Sequence, residues 1–178
     1  LQYRNVDYVI HGFRYNPNLF IDKHYHFFNP KAGLSYNNNG LSAFASFSVA
    51  NKEPNRDDFE AGESQMPKRE NLKDLEVGIE KKTSNFSAGA TIYYMKYKDQ
   101  LVLTGKINDV GAYTRTNIKD SYRAGVELQA SALFTRFLSA TGNLALSRNR
   151  ITGFTEFIDD YDNGGQQTKF YPKSDLPY

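Results

Sequence analysis

From Leu41 onward the chain alternates. Leu41, Ala43, Ala45, Phe47 and Val49 fall on one side of a two-residue period and Ser42, Ser46 and Ser48 on the other, with Phe44 an exception on the polar side. Such a period sends successive side chains to opposite faces of a strand. Ahead of it, Ala32, Leu34 and Tyr36 alternate with Lys31, Gly33, Ser35 and Asn37, so the two runs predict a hairpin. Its turn is Asn37-Asn38-Asn39-Gly40, and Asn and Gly tolerate the positive φ that tight turns require. The pattern recurs. Leu75, Val77 and Ile79 alternate with Glu76, Gly78 and Glu80; beyond Thr83-Ser84-Asn85, Phe86, Ala88, Ala90, Ile92 and Tyr94 alternate with Ser87, Gly89, Thr91 and Tyr93. A third copy sets Tyr122, Ala124, Val126, Leu128, Ala130 and Ala132 against Arg123, Gly125, Glu127, Gln129 and Ser131, turns near Phe134-Thr135-Arg136 and returns through Leu138, Ala140, Leu144 and Leu146. The predicted fold is all-β, an antiparallel meander of long hairpins with about seven strands and part of an eighth near Thr168 to Tyr171.

The connections carry the next step. Tight turns at NNNG, TSN and FTR alternate with stretches of roughly 20 to 24 residues before Lys31, from Asn51 and from Asp99, whereas loops beyond about 12 to 15 residues are uncommon in compact domains. A further long segment contains DDYDNGG, residues 159–165. Short turns at one end, long loops at the other and strands of about 10 alternating residues are the pattern of an outer-membrane barrel. Aromatics fall near both expected borders, with Tyr36, Phe86, Phe134 and Phe137 by the short turns and Tyr94, Tyr97 and Tyr122 toward the long ones. A half-buried sheet of a soluble domain alternates in the same way. The periodicity alone leaves both architectures open, and the one-sided loops favour the barrel.

Composition trims the alternatives. Thirteen Tyr and 13 Phe with no Trp suit a pleated surface. A net charge of +2, without a Lys/Arg-dense stretch, gives no footprint for nucleic acid. The absence of cysteine excludes disulfides and thiolate metal sites. No apolar run approaches the roughly 20 residues of a spanning helix, and LQYRNVDYVI lacks the basic start and apolar core of a signal peptide. The chain starts at Leu1 and stops at Tyr178 directly after Pro177, which leads us to expect a piece of a longer polypeptide.

The stretches FNPKAGLSY (28–36), FASFSVANKEPNRDDF (44–59), PKRENLKDLEVGIEKKTSN (67–85), ATIYYMKYKDQLV (90–102) and SYRAGVELQASA (121–132) together resemble the barrel of TonB-dependent outer-membrane receptors over nearly the whole chain. In that family Pro, Glu and E-x-G-x-E mark a strand descending from an outside loop, matched by Pro67, Glu70, Glu76, Gly78 and Glu80; R-x-G-x-E one hairpin later is matched by Arg123, Gly125 and Glu127. The resemblance implies a portion, residues 1–178, of a barrel of the 22-stranded type, located in the cell outer membrane. It also implies a plug domain inside the barrel, outer-membrane lipid around it, coupling to the TonB complex through plug and TonB box, and energy-coupled uptake of siderophore-iron, cobalamin or oligosaccharide. Plug, TonB box and closing strand are not visible in these residues.

The candidate residues follow from that picture. Glu76, Glu80, Arg123, Glu127 and Gln129, on the polar face, would line a wet lumen, since charge is costly against lipid. The outside loops should meet the ligand, with Arg56, Asp58, Tyr113 and Arg115 as contacts, because aromatic and guanidinium groups suit sugars and anionic chelates. His24 and His26 share a strand face, but His11 is the one histidine besides them and no cysteine completes a set, so the expectation is no metal and no cofactor. DDYDNGG fails the EF-hand spacing, with Phe170 or Tyr171 where a bidentate Glu should stand. Glu76 and Glu80, four apart on a strand, are roughly 13 Å apart along it, beyond the ~5 to 9.5 Å of a glycosidase pair. No catalytic residue is predicted. The rival functions are a barrel without TonB coupling, such as a porin or adhesin, and a soluble ligand-binding β-domain.

Overall fold

The structure, a computed structural model, describes residues 1–13, 16–61, 66–107, 111 and 113–175. Among them nine strands are present: β1 (Gln2–Phe13), β2 (Asn16–Asn29), β3 (Lys31–Asn38), β4 (Leu41–Lys52), β5 (Glu70–Lys82), β6 (Phe86–Ile107), β7 (Tyr113–Thr135), β8 (Leu138–Asp159) and β9 (Gln166–Asp175), with one short 3-10 helix, Arg56–Ala61. β3 to β9 form one antiparallel sheet in chain order, and β1 and β2 pair as a separate hairpin.

The register aligns the apolar positions across strands. Leu34, Ala45, Val77, Ile92, Val126 and Leu146 stand in one line from β3 to β8, and Tyr36, Ala43, Ile79, Ala90, Leu128 and Leu144 in the next line on the same face. In a soluble sheet a second layer would cover these lines. Here Leu34 is 82% exposed, Ile92 59% and Leu146 60%, so no other layer among the described residues covers the apolar face. The buried apolar residues lie elsewhere, in a cluster of Ile10, Phe13, Leu19, Ile21 and Phe59 and a pair, Ile118 and Ile151, with Phe27 and Leu101 buried apart from both.

Three tight turns close one end. At β3–β4, Asn39 and Gly40 both take positive φ (46° and 73°), the geometry of a two-residue hairpin turn. The Lys82 amide donates to the Gly40 carbonyl at 2.7 Å. At β5–β6 the Phe86 amide donates to Thr83 Oγ1 at 3.1 Å, and at β7–β8 Thr135 Oγ1 accepts from the Phe137 and Leu138 amides at 3.2 and 3.1 Å.

The opposite end departs from expectation. The stretch before Lys31, expected as a connection, is the β1–β2 hairpin. The stretch from Asp99, also expected as a loop, is the continuation of β6 and β7, which run to Ile107 and from Tyr113. β6, β7 and β8 have 22, 23 and 22 residues. An apolar band about 25 Å tall needs only about 9 to 11 tilted residues, so about half of each strand projects beyond it. Alternation loses phase because Asp99 (φ 55°) and Gly153 (φ 68°) take left-handed backbone at the height where the wall becomes the projection.

β2 and β3 are almost one strand, separated by Pro30. Pro30 has no N–H to donate; its carbonyl accepts from the Val49 amide at 2.9 Å, and at Asn29 the side chain takes over, its Oδ1 accepting from the Asn51 amide at 3.0 Å. Beyond that point β2 leaves β4 and pairs with β1 instead.

Candidate functional site

Two regions concentrate polar chemistry: the face opposite the apolar lines, and the projecting end. On the former, Asp74, Met95, Arg123 and Asn149 stand in one line, Glu76, Tyr93, Gly125 and Ser147 in the next, then Thr91 with Glu127, then Glu80 with Gln129 and Asn143. Glu76, Glu80, Arg123, Glu127 and Gln129 therefore share one face. Glu76, Arg123 and Glu127 line a single hollow of about 440 Å³ with Phe44, Thr91, Tyr93, Met95 and Asn149. Glu80 accepts from Ser87 Oγ at 3.0 Å, and the Arg123 guanidinium sits 5.6 Å from the Tyr97 ring centre. Tyr97 thus faces this polar side, not the aromatic border assigned to it from sequence. Asp74 Oδ1 and Arg123 Nε are buried without hydrogen-bond partners. Charges left open in this way suit a water-facing surface rather than a packed core.

Phe44, the exception in the polar register, has a reason. Its ring lies over Gly78, where a Cβ would come within 2.3 Å of Phe44 Cε1. The ring fills the notch left by a residue without a side chain. An apolar groove lined by Leu34, Tyr36, Val77, Ile79, Ala90 and Ile92 opens on the other face. Its apolar lining offers a polar ligand little to bond.

At the projecting end the 3-10 helix is a clasp between two hairpins. Asn55 and Asp58 cap each other, the Asn55 amide donating to Asp58 Oδ2 at 2.7 Å and the Asp58 amide to Asn55 Oδ1 at 3.0 Å. Arg115 on β7 donates to both Asp58 oxygens, Nε at 2.6 Å and Nη2 at 2.7 Å. Phe59, fully buried, packs with Ile10, Phe13, Leu19 and Ile21 of the β1–β2 hairpin. Arg56 lies 4.3 Å over the Phe13 ring, and Arg4 is paired with Glu53. Asp58 and Arg115, picked from sequence as free ligand contacts, are thus committed to each other. The sequence treated residues 51–74 as a solvated loop and missed Phe59; a lone Phe in a charged stretch was the available signal.

Tyr113 is exposed and donates to Asp159 Oδ2 at 2.7 Å; that bond raises the phenol's pKa and lowers the Asp159 carboxyl's, helped by Gln166. In the β8–β9 turn Asp160 accepts from the Gln167 and Asn163 side chains and from the Asn163 and Asp162 amides. These donors hold its pKa down at about 2 and occupy the oxygens a calcium ion would need. His24 bonds Asp7 at 2.7 Å and lies 3.2 Å from Asp22; the Asp7 bond, then the Asp22 charge, raise its pKa. Among the described residues no three His, Asp or Glu side chains converge on a metal-sized point.

A family model described as TonB dependent receptor-like, beta-barrel, matches residues 1–176. Among solved structures the chain is similar to the FrpB iron transporter from Neisseria meningitidis (F3-3 variant), with a TM-score of 0.59 and 17% identity, covering 84% of this chain and 26% of that one. The chain thus spans about a quarter of that transporter's length. No curated protein matches it.

Proposed function

Given that the chain belongs to the TonB-dependent receptor-like β-barrel family, matched over residues 1–176, we propose that it is one arc of the wall of an outer-membrane receptor performing energy-coupled uptake of a scarce nutrient. The observation that carries this reading is the two-faced sheet. One face is a continuous apolar band that no other layer among the described residues covers, the other is polar with open charges, and all the strand extensions lie at one end. Lipid surrounds the first face and water fills the second.

In this role the projecting hairpins, held by the Asp58–Arg115 clasp, form the outer vestibule. The ligand is siderophore-iron, cobalamin or an oligosaccharide, and the iron transport named for FrpB favours the first. Arg56 and Tyr113 are exposed in the vestibule, and Glu76, Glu80, Arg123, Glu127 and Gln129 line the route below, where they contact plug, water or cargo. TonB drives passage through the plug. The residues bind and guide, and no bond is made or broken.

The test uses β8, whose two ends lie on opposite sides of the band. Epitopes are inserted at Asn163 and, separately, at Arg136 in the full-length receptor, and intact cells are treated with protease. Loss of the Asn163 epitope with survival of the Arg136 epitope supports the orientation; survival of both, with the protein in the soluble fraction, overturns it. Uptake of ferric siderophore that persists after deletion of TonB would leave the barrel standing and overturn the energy coupling.

A further inference from the structure

Immediately above the apolar band, and on the same outer face, the lines change character. Above Phe47, Leu75, Tyr94 and Ala124 come Val49, Lys73, Lys96 and Tyr122, and above those Asn51, Asn71, Lys98 and Asp120. Lys73 and Lys96 stand directly opposite one another on β5 and β6. Like charges facing across an antiparallel pair are destabilising unless something neutralises them. With Arg69, Lys98 and Lys119 they line one hollow of about 550 Å³, whose acidic members are Asp99 and Asp120. Five cations thus face two carboxylates, and none of the four lysines makes an ion pair among the described residues.

Three of these cations cannot turn toward the opposite face, because the register holds Lys73, Lys96 and Lys98 on the side of the apolar lines. Arg69 Nη1 is tied to the His26 carbonyl at 3.4 Å, which keeps that group at the rim. Alongside, the Tyr94 and Tyr122 rings stack at 5.9 Å, an amphipathic pair at the height where lipid meets water.

We propose that this hollow binds the phosphate groups of an anionic, acylated lipid whose chains lie against the apolar band below. Charge complementarity specifies the head and continuity with the band specifies the tail. A phosphate bridging Lys73 and Lys96 relieves their repulsion, and the neighbouring Lys98 and Lys119 take a second phosphate or the far oxygens. This rests on the membrane reading of the apolar face and adds to it a lipid class and a location. A free phosphate lacks the acyl chains and gains nothing from the band.

The experiment compares the full-length receptor with a variant carrying Lys73→Gln, Lys96→Gln and Lys98→Gln, and with a control, Lys81→Gln, which faces the same side at the short-turn end. Each is refolded into detergent, checked for the heat-modified gel shift of a closed barrel, and mixed with phosphatidic acid or with diacylglycerol of the same chains. Native mass spectrometry counts bound lipid. Each lysine near an anionic head is worth about fivefold in affinity, so the triple variant should lose phosphatidic acid by roughly a hundredfold, with diacylglycerol binding and the Lys81 control unchanged. Equal retention of both lipids by a closed barrel, or an unaffected triple variant, overturns the lipid site alone. Displacement by inorganic phosphate at matched concentration also overturns it, in favour of a free-anion site. Failure of the unaltered receptor to form a heat-modifiable barrel overturns the membrane reading with it.

Discussion

Replacing Arg115 by Ala tests whether the 3-10 clasp is the fixed point of the projecting hairpins. The Asp58 side chain is 2% exposed and Arg115 26%. Without the guanidinium, Asp58 keeps the Asn55 amide as a partner but remains a buried charge with no cation. Breaking a fully buried pair costs about 3 to 5 kcal/mol. Because more than a quarter of Arg115 already meets water, screening lowers this to about 2 kcal/mol. That energy falls on local opening, since the clasp can lift away from β7 without unfolding the wall. The reporter is hydrogen exchange at the Asp58 amide, which donates to Asn55 within the clasp. About 2 kcal/mol corresponds to roughly thirtyfold faster exchange, while amides of β7 from Tyr122 to Ala132 keep their rates. Adding Asp58→Asn to Arg115→Ala should recover part of the loss, because the stranded charge is gone. Exchange changed by less than about threefold, or a double variant no slower than Arg115→Ala alone, would refute the reasoning.

Other outcomes are equally specific. Val126→Arg, in the centre of the apolar lines, should cost the reconstituted barrel about 2 to 4 kcal/mol in denaturant titration, whereas Glu127→Arg, one residue on and facing the lumen, should stay within about 1 kcal/mol; similar costs for both would contradict the two-faced wall. Gly40→Ala places a Cβ 2.1 Å from the Lys82 carbonyl at φ +73°, and should slow or abolish barrel closure in a refolding gel assay, while Gly142→Ala, with open space around its Cβ, should not. Asp160 has a folded pKa of about 2 against 3.8 ordinarily, so its hold on the β8–β9 turn is fully present above pH 3.8 and lost as pH falls through about 2. Amide exchange at Asp162 and Asn163 should loosen across that window, and a turn equally ordered at pH 1.5 and pH 5, two settings on either side of it, would contradict the assignment.

The wall was legible in the sequence and the vestibule was not, for one physical reason. Between Leu41 and Leu146 one face is apolar and the other polar, and each position reports its side through polarity. In β1–β2 that contrast is lost: Tyr8 and Ile10 turn toward the clasp, but Tyr3 and Val9 on the other face are also apolar and stand exposed, at 65% and 60%. In β6 and β7 the left-handed residue at Asp99 shifts the phase, so strands continuing past it read as loop. The lumen candidates lay on a face that alternation defines, and the register brings all five together. The vestibule candidates were chosen by chemical type alone, and Asp58 and Arg115 prove to satisfy each other. That pairing spans 57 residues of sequence, and no local pattern announces it.

Pro30 gives the receptor a seam. Below it the chain is bonded into the wall, and above it the same strand belongs to a hairpin joined to the rest through Asn29 and Asn51, the Arg4–Glu53 pair, the Arg69 bond to His26 and the buried Phe59 cluster. An exchange of residues 2–29 that kept Asn29 and the side chains facing Phe59 would leave the register of every wall strand untouched. The outward surface of that hairpin, with Tyr3, Val9, Phe20, His24 and His26 exposed on one face, can thus be rewritten without moving a strand of the wall beneath.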